Sequence, residues 1–240
     1  TLRGHHGAVL NGHFNYDSTR AVTAGADGVA IVWDREGTAV ATLSGHSALL
    51  YDAVFSPNGD IVATASADGS ARLWDSSSGK LLIGPLGHEG AVTHVMFTAD
   101  GRFLLTASED QTAALWDVAS GRRVFSLSGQ EAPVTAVAVN PDGRFAITGG
   151  DTGDPTVRLW DLRTGQMLLT FWGHRAGVQS LDFSADGRHI ASAGADGAAQ
   201  VDDCDVYGTV DDLLALAPSH VTRELTNEEE QRFLFELPSQ

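Results

Sequence analysis

Between Gly45 and Asp75 the chain alternates short apolar runs with tight-turn dipeptides. An apolar run ends in Phe55, Pro57-Asn58-Gly59 interrupts it, Ile61 to Ser66 alternates, Asp68-Gly69 interrupts again, and Trp74-Asp75 closes the stretch. Alternation with a period of two, rich in Val, Ile, Phe and Thr, predicts half-buried strands. Asn-Gly and Asp-Gly accept the positive φ that tight hairpins require, so the pattern predicts three short strands joined by two turns.

The same pattern recurs along the chain. Gly-His or its equivalent stands at Gly4-His5, Gly45-His46, Gly87-His88, Gly129-Gln130 and Gly173-His174, spaced by 41, 42, 42 and 44 residues. The closing pairs Trp33-Asp34, Trp74-Asp75, Trp116-Asp117 and Trp160-Asp161 keep step with them. On these residues the chain resembles the WD-repeat family, whose repeat of about 40 to 45 residues builds the four-stranded blades of a β-propeller. The resemblance covers roughly residues 1 to 206. It implies an all-β propeller with five recognisable repeats, at about 4–34, 45–75, 87–117, 129–161 and 173–203. Five repeats beginning in mid-blade, with Thr1 to Arg3 as the outer strand of a preceding blade, predict a partial propeller. The expected form is an open arc with an exposed strand edge suited to self-association.

Departures from the pattern mark individual repeats. Repeat one turns at Tyr16-Asp17-Ser18 instead of Asp-Gly. Repeat four carries a longer second turn from Gly149 to Pro155, and repeat five closes on Val201-Asp202-Asp203 with Asp202 where the family places tryptophan. In residues 207–240, Thr209 to Asp212 and Thr226 to Glu229 have the form of capping boxes, which predicts two short helices in an acidic C-terminal tail. The ending also resembles the tail that closes some bacterial WD-repeat signalling proteins, in which a nucleotide-hydrolysing, kinase or protease-like module precedes the propeller.

Charge narrows the choice of partner. The net charge is −16, the wrong sign for neutralising phosphates or anionic lipid, so neither nucleic acid nor membrane is expected. Half of that excess lies from Asp202 onward, where ten acidic residues face two arginines. The single cysteine, Cys204, leaves no intrachain disulfide and suits a reducing, cytoplasmic setting. Three flanking aspartates disfavour its thiolate.

The best repeat holds His46, Ser66, Asp68 and Trp74, and repeat three holds His88, Ser108, Asp110 and Trp116. Serine, histidine and aspartate invite a catalytic assignment, but an enzyme needs one site and a blade needs one tie per copy. The resemblance implies that each set is a buried hydrogen-bonded tetrad, so no catalytic residue is assigned. Partial tetrads are expected from His5, Asp27 and Trp33, with Gly25 at the serine position, from Asp154 and Trp160, with Gln130 for histidine, and from His174 and Asp196. The Asp-Gly turns supply too few oxygens for a calcium loop; the repeat-four loop, with Asp151 and Asp154 close together, is the one place where a cation site competes with an ordinary solvated insertion, and the insertion is the favoured reading. No metal or cofactor is expected.

The implied function is a non-catalytic scaffold that binds protein or peptide partners on its loop face. The alternative is the sensor or autoinhibitory part of a signalling enzyme. Trp172 and Arg175 beside one Gly-His loop, with Tyr51, Asp52 and His94 on strands entering the central channel, are the candidate partner-binding residues.

Overall fold

The computed structural model describes Thr1–Cys204. Nineteen strands form five antiparallel sheets in chain order. Blade 1 comprises β1 (Val9–Phe14), β2 (Arg20–Gly25), β3 (Val29–Asp34) and β4 (Ala39–Ser44), and blade 2 comprises β5 (Leu50–Phe55), β6 (Ile61–Ser66), β7 (Ser70–Asp75) and β8 (Leu81–Gly87). Blade 3 is β9 (Val92–Phe97), β10 (Phe103–Ser108), β11 (Thr112–Asp117) and β12 (Arg123–Ser128), and blade 4 is β13 (Val134–Val139), β14 (Phe145–Gly150), β15 (Val157–Asp161) and β16 (Gln166–Phe171). Blade 5 has three strands, β17 (Val178–Phe183), β18 (His189–Gly194) and β19 (Ala199–Asp203). The helices expected after Thr209 lie outside the described residues.

Each blade zigzags outward through the hairpins that the turn dipeptides predict. At Gly59 and Gly69 the φ angles are +78° and +80°, a region that costs glycine little and other residues more. Two non-glycine residues take the same conformation, Ser18 in the first turn of repeat one and Gln111 in the second turn of repeat three. In the first case the Asp17 carboxylate accepts bonds from the backbone N–H and hydroxyl of Thr19, which shapes the turn without glycine.

Apolar side chains of one blade's trailing face pack on the leading face of the next. Val22, Ala24, Ala30 and Val32 meet Leu50 and Ala53; Ala63, Ala65, Ala71 and Leu73 meet Val92 and Val95; Leu105, Ala107, Ala113 and Leu115 meet Val134 and Val137. Small residues dominate the trailing faces, so neighbouring sheets approach closely. Polar ties on the inner strands cross every junction. Asn11 donates to the buried Asp52 at 2.9 Å, the Val95 N–H donates to the other Asp52 oxygen at 3.4 Å, and the Thr93 and Thr135 hydroxyls donate to the carbonyls of Val134 and Val178 at 3.0 and 2.5 Å.

The inner strands neighbour one another in the order β1, β5, β9, β13, β17, with no comparable contact from β17 back to β1. The described residues therefore form an arc of sheets that is not closed. Thr1 to Arg3 are not a strand: with no sheet beside them to complete a ladder, they lie as irregular chain, Gly4 against Trp33 and Ile31 and Leu2 beside Gly37.

Candidate functional site

The Gly-His loops and the β2–β3 type turns share one end of the arc, and a directed chain of hydrogen bonds ties them together in each complete repeat. In repeat two the Trp74 indole N–H donates to Thr64 Oγ1 at 2.9 Å, Thr64 meets His46 Nε2 at 2.8 Å, and His46 Nδ1 meets Asp68 Oδ2 at 2.8 Å. Asp68 also accepts from the Ser47 N–H and from both the N–H and hydroxyl of Ser70. The Asp68 carboxylate can only accept, so His46 donates to it from Nδ1; burial favours the neutral ring, whose bare Nε2 then accepts from the Thr64 hydroxyl while that oxygen accepts the indole N–H.

The shared hydroxyl is therefore that of Thr64, and Ser66 does not occupy the place expected for it. Strand pairing explains why. Val62 stands opposite Trp74, so the indole reaches diagonally to Thr64 on the same face, two residues short of Ser66. Ser66 instead donates to the carbonyls of Ala48 and Leu49 and accepts from the Asp68 N–H, fixing the turn that carries the aspartate. Repeat three is the same: His88 and Trp116 share Thr106, while Ser108 bonds Gly90 and the Asp110 N–H.

Repeat one, expected to be partial, contains the whole chain of bonds: Trp33 to Thr23 at 2.8 Å, Thr23 to His5 at 2.8 Å, and His5 to Asp27 at 3.1 Å. A Cβ at Gly25 would collide with Asp27 and His5, so glycine there makes room for the pair. Repeat five keeps His174 bonded to Ser192 at 2.9 Å and to Asp196 at 3.2 Å but has no indole to complete it. Repeat four substitutes chemistry: Trp160 bonds Thr148 at 3.0 Å, the buried Gln130 amide donates to the Thr156 carbonyl, and Asp154 pairs with Arg158 at 3.0 Å. The two blades with serine have the shorter His–Asp contacts, 2.8 Å against 3.1 and 3.2 Å in the glycine blades.

Burial pushes the His46 and His88 imidazoles below the usual histidine range, against the pull of Asp68 and Asp110. Burial acts in the raising sense on Asp68, but bonds from Ser70, His46 and the Ser47 N–H outweigh it and hold the carboxyl at about 2. Asp196 is held at about 2 chiefly by the backbone N–H groups of Arg175 and Ala198. Ser66 is fully buried and makes its bonds to backbone, not to His46, so nothing in this geometry activates it as a nucleophile.

The candidate partner-binding residues separate in space. Trp172 is 77% exposed at the end of β16, and the Arg175 side chain is exposed two residues beyond Gly173. Asp52 is buried and committed to the junctions of blades 1, 2 and 3, with His13 Nε2 also within 3.2 Å, so it is not available to a partner. Tyr51 and His94 are half-buried. At the opposite end of the inner strands lies a second feature, an apolar cleft of about 370 Å³ walled by Phe14, Tyr16, Phe55, Pro57, Met96 and Phe97. The recurrent phenylalanine closing the inner strands was its sequence signal. Among the described residues no group of three or more His, Cys, Asp or Glu is placed to hold a metal, and no helix is long and apolar enough to cross a membrane.

No match is found among curated proteins. Among solved structures, the chain is similar to the crystal structure of the WD40 β-propeller domain of Doa1, with 26% identity and a TM-score of 0.72 over 85% of this chain and 67% of that one. A family model described as "WD domain, G-beta repeat" matches residues 1–34, 37–75, 79–117, 121–161 and 165–201. With five matched repeats, five blades and the same bonded Trp–Thr pairing in four of them, the chain belongs to the WD40 repeat family.

Proposed function

We propose that this chain is a non-catalytic scaffold that holds a protein or peptide partner on its loop face, with Trp172 and Arg175 as the anchor. WD40 propellers generally serve as protein-interaction platforms. The observation that carries the assignment to this face is the exposure of Trp172: the four other tryptophans are at most 5% exposed and consumed in blade bonds, whereas this one is 77% exposed, three residues before the exposed Arg175. Aromatic and Arg side chains supply a disproportionate share of binding energy when a partner buries them. Trp172 follows directly on β16, so the backbone that carries it is tethered to the blade and adds little to the ordering cost of capture.

The test compares capture of partners from source-cell lysate by the wild type, Trp172→Ala and Tyr16→Ala. A hot-spot tryptophan contributes on the order of 2 kcal/mol, so Trp172→Ala should lose specific partners by roughly 30-fold while Tyr16→Ala keeps them. Undiminished capture by Trp172→Ala removes the anchor, and selective loss with Tyr16→Ala moves the site to the cleft.

A further inference from the structure

We propose that Asn58 is a spontaneous modification site, whose deamidation to aspartate sets two carboxylates side by side and loosens the first turn of blade 2. This goes beyond the loop-face function and does not depend on it. Asparagine before glycine is the pair most open to that chemistry, because a residue without a Cβ leaves its backbone nitrogen uncovered toward the preceding side-chain amide. Asn58 is exposed in the turn between β5 and β6, and Gly59 follows it with a φ of +78°. The turn lies between the first turns of blades 1 and 3, with Gly59 beside Asn15 on one side and Pro57 beside Gly101 on the other. Its setting is thus supplied by described residues.

Repeat two departs from the others at this turn. Elsewhere the side-chain acceptor is a carboxylate, at Asp17, Asp100, Asp142 and Asp186, and two residues on stands a donor or a cation, at Thr19, Arg102, Arg144 and Arg188. The Thr98 and Ser184 hydroxyls clamp Asp100 and Asp186 at 2.6 and 2.5 Å. Ser56 does the same for Asn58 Oδ1 at 2.7 Å, but the residue two on is the acid Asp60. The amide reconciles the two positions: Asn58 Nδ2 donates to Asp60 Oδ2 at 2.9 Å, and Asn58 Oδ1 accepts from the Asp60 N–H at 3.2 Å. An ionised aspartate at position 58 has no proton to offer, so that bond becomes a contact between two negative charges.

The reaction needs only water and solvent base. The Gly59 nitrogen gives its proton to hydroxide and attacks Asn58 Cγ; a C–N bond forms there, and the side-chain nitrogen leaves as ammonia with a proton from water. Water then opens the cyclic imide at either carbonyl, giving aspartate, or isoaspartate with the backbone rerouted through the side chain. The net change is amide and water to carboxylic acid and ammonia, with nothing oxidised or reduced. The closed turn restrains the first step: the Gly59 N–H donates to the Ser56 carbonyl at 2.9 Å, while Ser56 and Asp60 hold the amide in place. Conversion therefore waits on local opening of the turn. Each event is one-way and leaves a turn that opens more easily.

The experiment incubates the full 240-residue chain in mildly alkaline buffer and follows Asn58 by peptide mapping with mass spectrometry, which resolves it from the other Asn-Gly pair at Asn11. Asn58 should convert in the folded chain, several-fold faster in Ser56→Ala, which lacks the hydroxyl clamp, and faster again in concentrated urea. The product is also made directly as Asn58→Asp, which should lower the urea midpoint of the wild type. That loss should vanish when Asp60 is replaced by arginine, the pairing of Asp100 with Arg102, with Asp60→Arg alone as the reference. Far-UV circular dichroism checks folding, and should Ser56→Ala misfold, Asp60→Ala removes the other clamp on the amide. An Asn58 that stays intact in the folded chain, conversion no faster without a clamp or in urea, an Asn58→Asp midpoint equal to that of the wild type, or the same loss with arginine at position 60 would overturn the proposal.

Discussion

Replacing Thr64 by valine keeps the shape of the side chain and deletes the one hydroxyl that both Trp74 and His46 use. Two buried polar groups then lose their partner, and each unsatisfied group costs about 1–3 kcal/mol, giving roughly 2–4 kcal/mol when their coupling is allowed for. Ser66→Ala removes bonds to the Ala48 and Leu49 carbonyls and the Asp68 N–H, groups at a loop that solvent can reach, and should cost about 1 kcal/mol. For a domain of this size the valine variant should melt roughly 5–15 °C lower and the alanine variant only a few degrees lower. A local measurement separates the tie from general damage: proton exchange at the Trp74 indole N–H should accelerate in Thr64→Val, with exposed Trp172 as the unprotected reference. If Ser66→Ala destabilised the chain as much as Thr64→Val, or if the Trp74 indole kept its protection without Thr64, the hydroxyl would not be the centre of the tie.

Acid should weaken the fold in two stages. His46 and His88, shifted below 6.5, contribute stability that is complete above pH 6.5 and is lost as pH falls through their folded values. Asp68, held at about 2 against an ordinary 3.8, adds a loss between about pH 4 and pH 2 worth about 1–2 kcal/mol after discounting for solvent screening. His13, raised by its bond to Asp52, runs the other way, contributing below pH 6.5 and fading as pH rises through its folded value. Urea midpoints from pH 8 to pH 3 check the order, and a midpoint that climbs from pH 5 to pH 3 would contradict it. Asp202→Trp, placed diagonally to Ser192 as Trp74 is to Thr64, should cover Leu169, now 42% exposed, and raise stability by roughly 1–2 kcal/mol in the same denaturation assay. Asp52→Ala should cost about 2–4 kcal/mol by orphaning Asn11 and the Val95 N–H, with hydrogen exchange of Val95 reporting the loss directly.

Strand positions and turns were legible because alternation and Asp-Gly dipeptides act locally: all five repeats fold where the period puts them. The tie was only half legible. Composition drew attention to serine beside histidine and aspartate, yet the deciding geometry is the diagonal across an antiparallel pair, which selects Thr23, Thr64 and Thr106 ten residues before their tryptophans and Thr148 twelve before Trp160, across the longer turn of repeat four. Gly25 looked like a gap in the set until the position of His5 and Asp27 showed that a side chain would not fit. Asp52 reads from the sequence as a partner-binding residue at the channel because its acceptor role involves residues 41 and 43 positions away on neighbouring blades, a relation that no local pattern encodes.

The hydroxyl ties at Thr93 and Thr135 bear on how such a chain can change length over generations. Each donates forward to the first residue of the next inner strand, and both occupy the same register position. A tandem duplication of the segment from Thr93 to Val134 would carry its own donor and its own acceptor into the new junction, leaving the ties on either side intact. Copy number can thus drift by whole units without compensating substitutions at the seams, whereas a duplication cut through Asp52 would separate a carboxylate from one of the two neighbours it bridges.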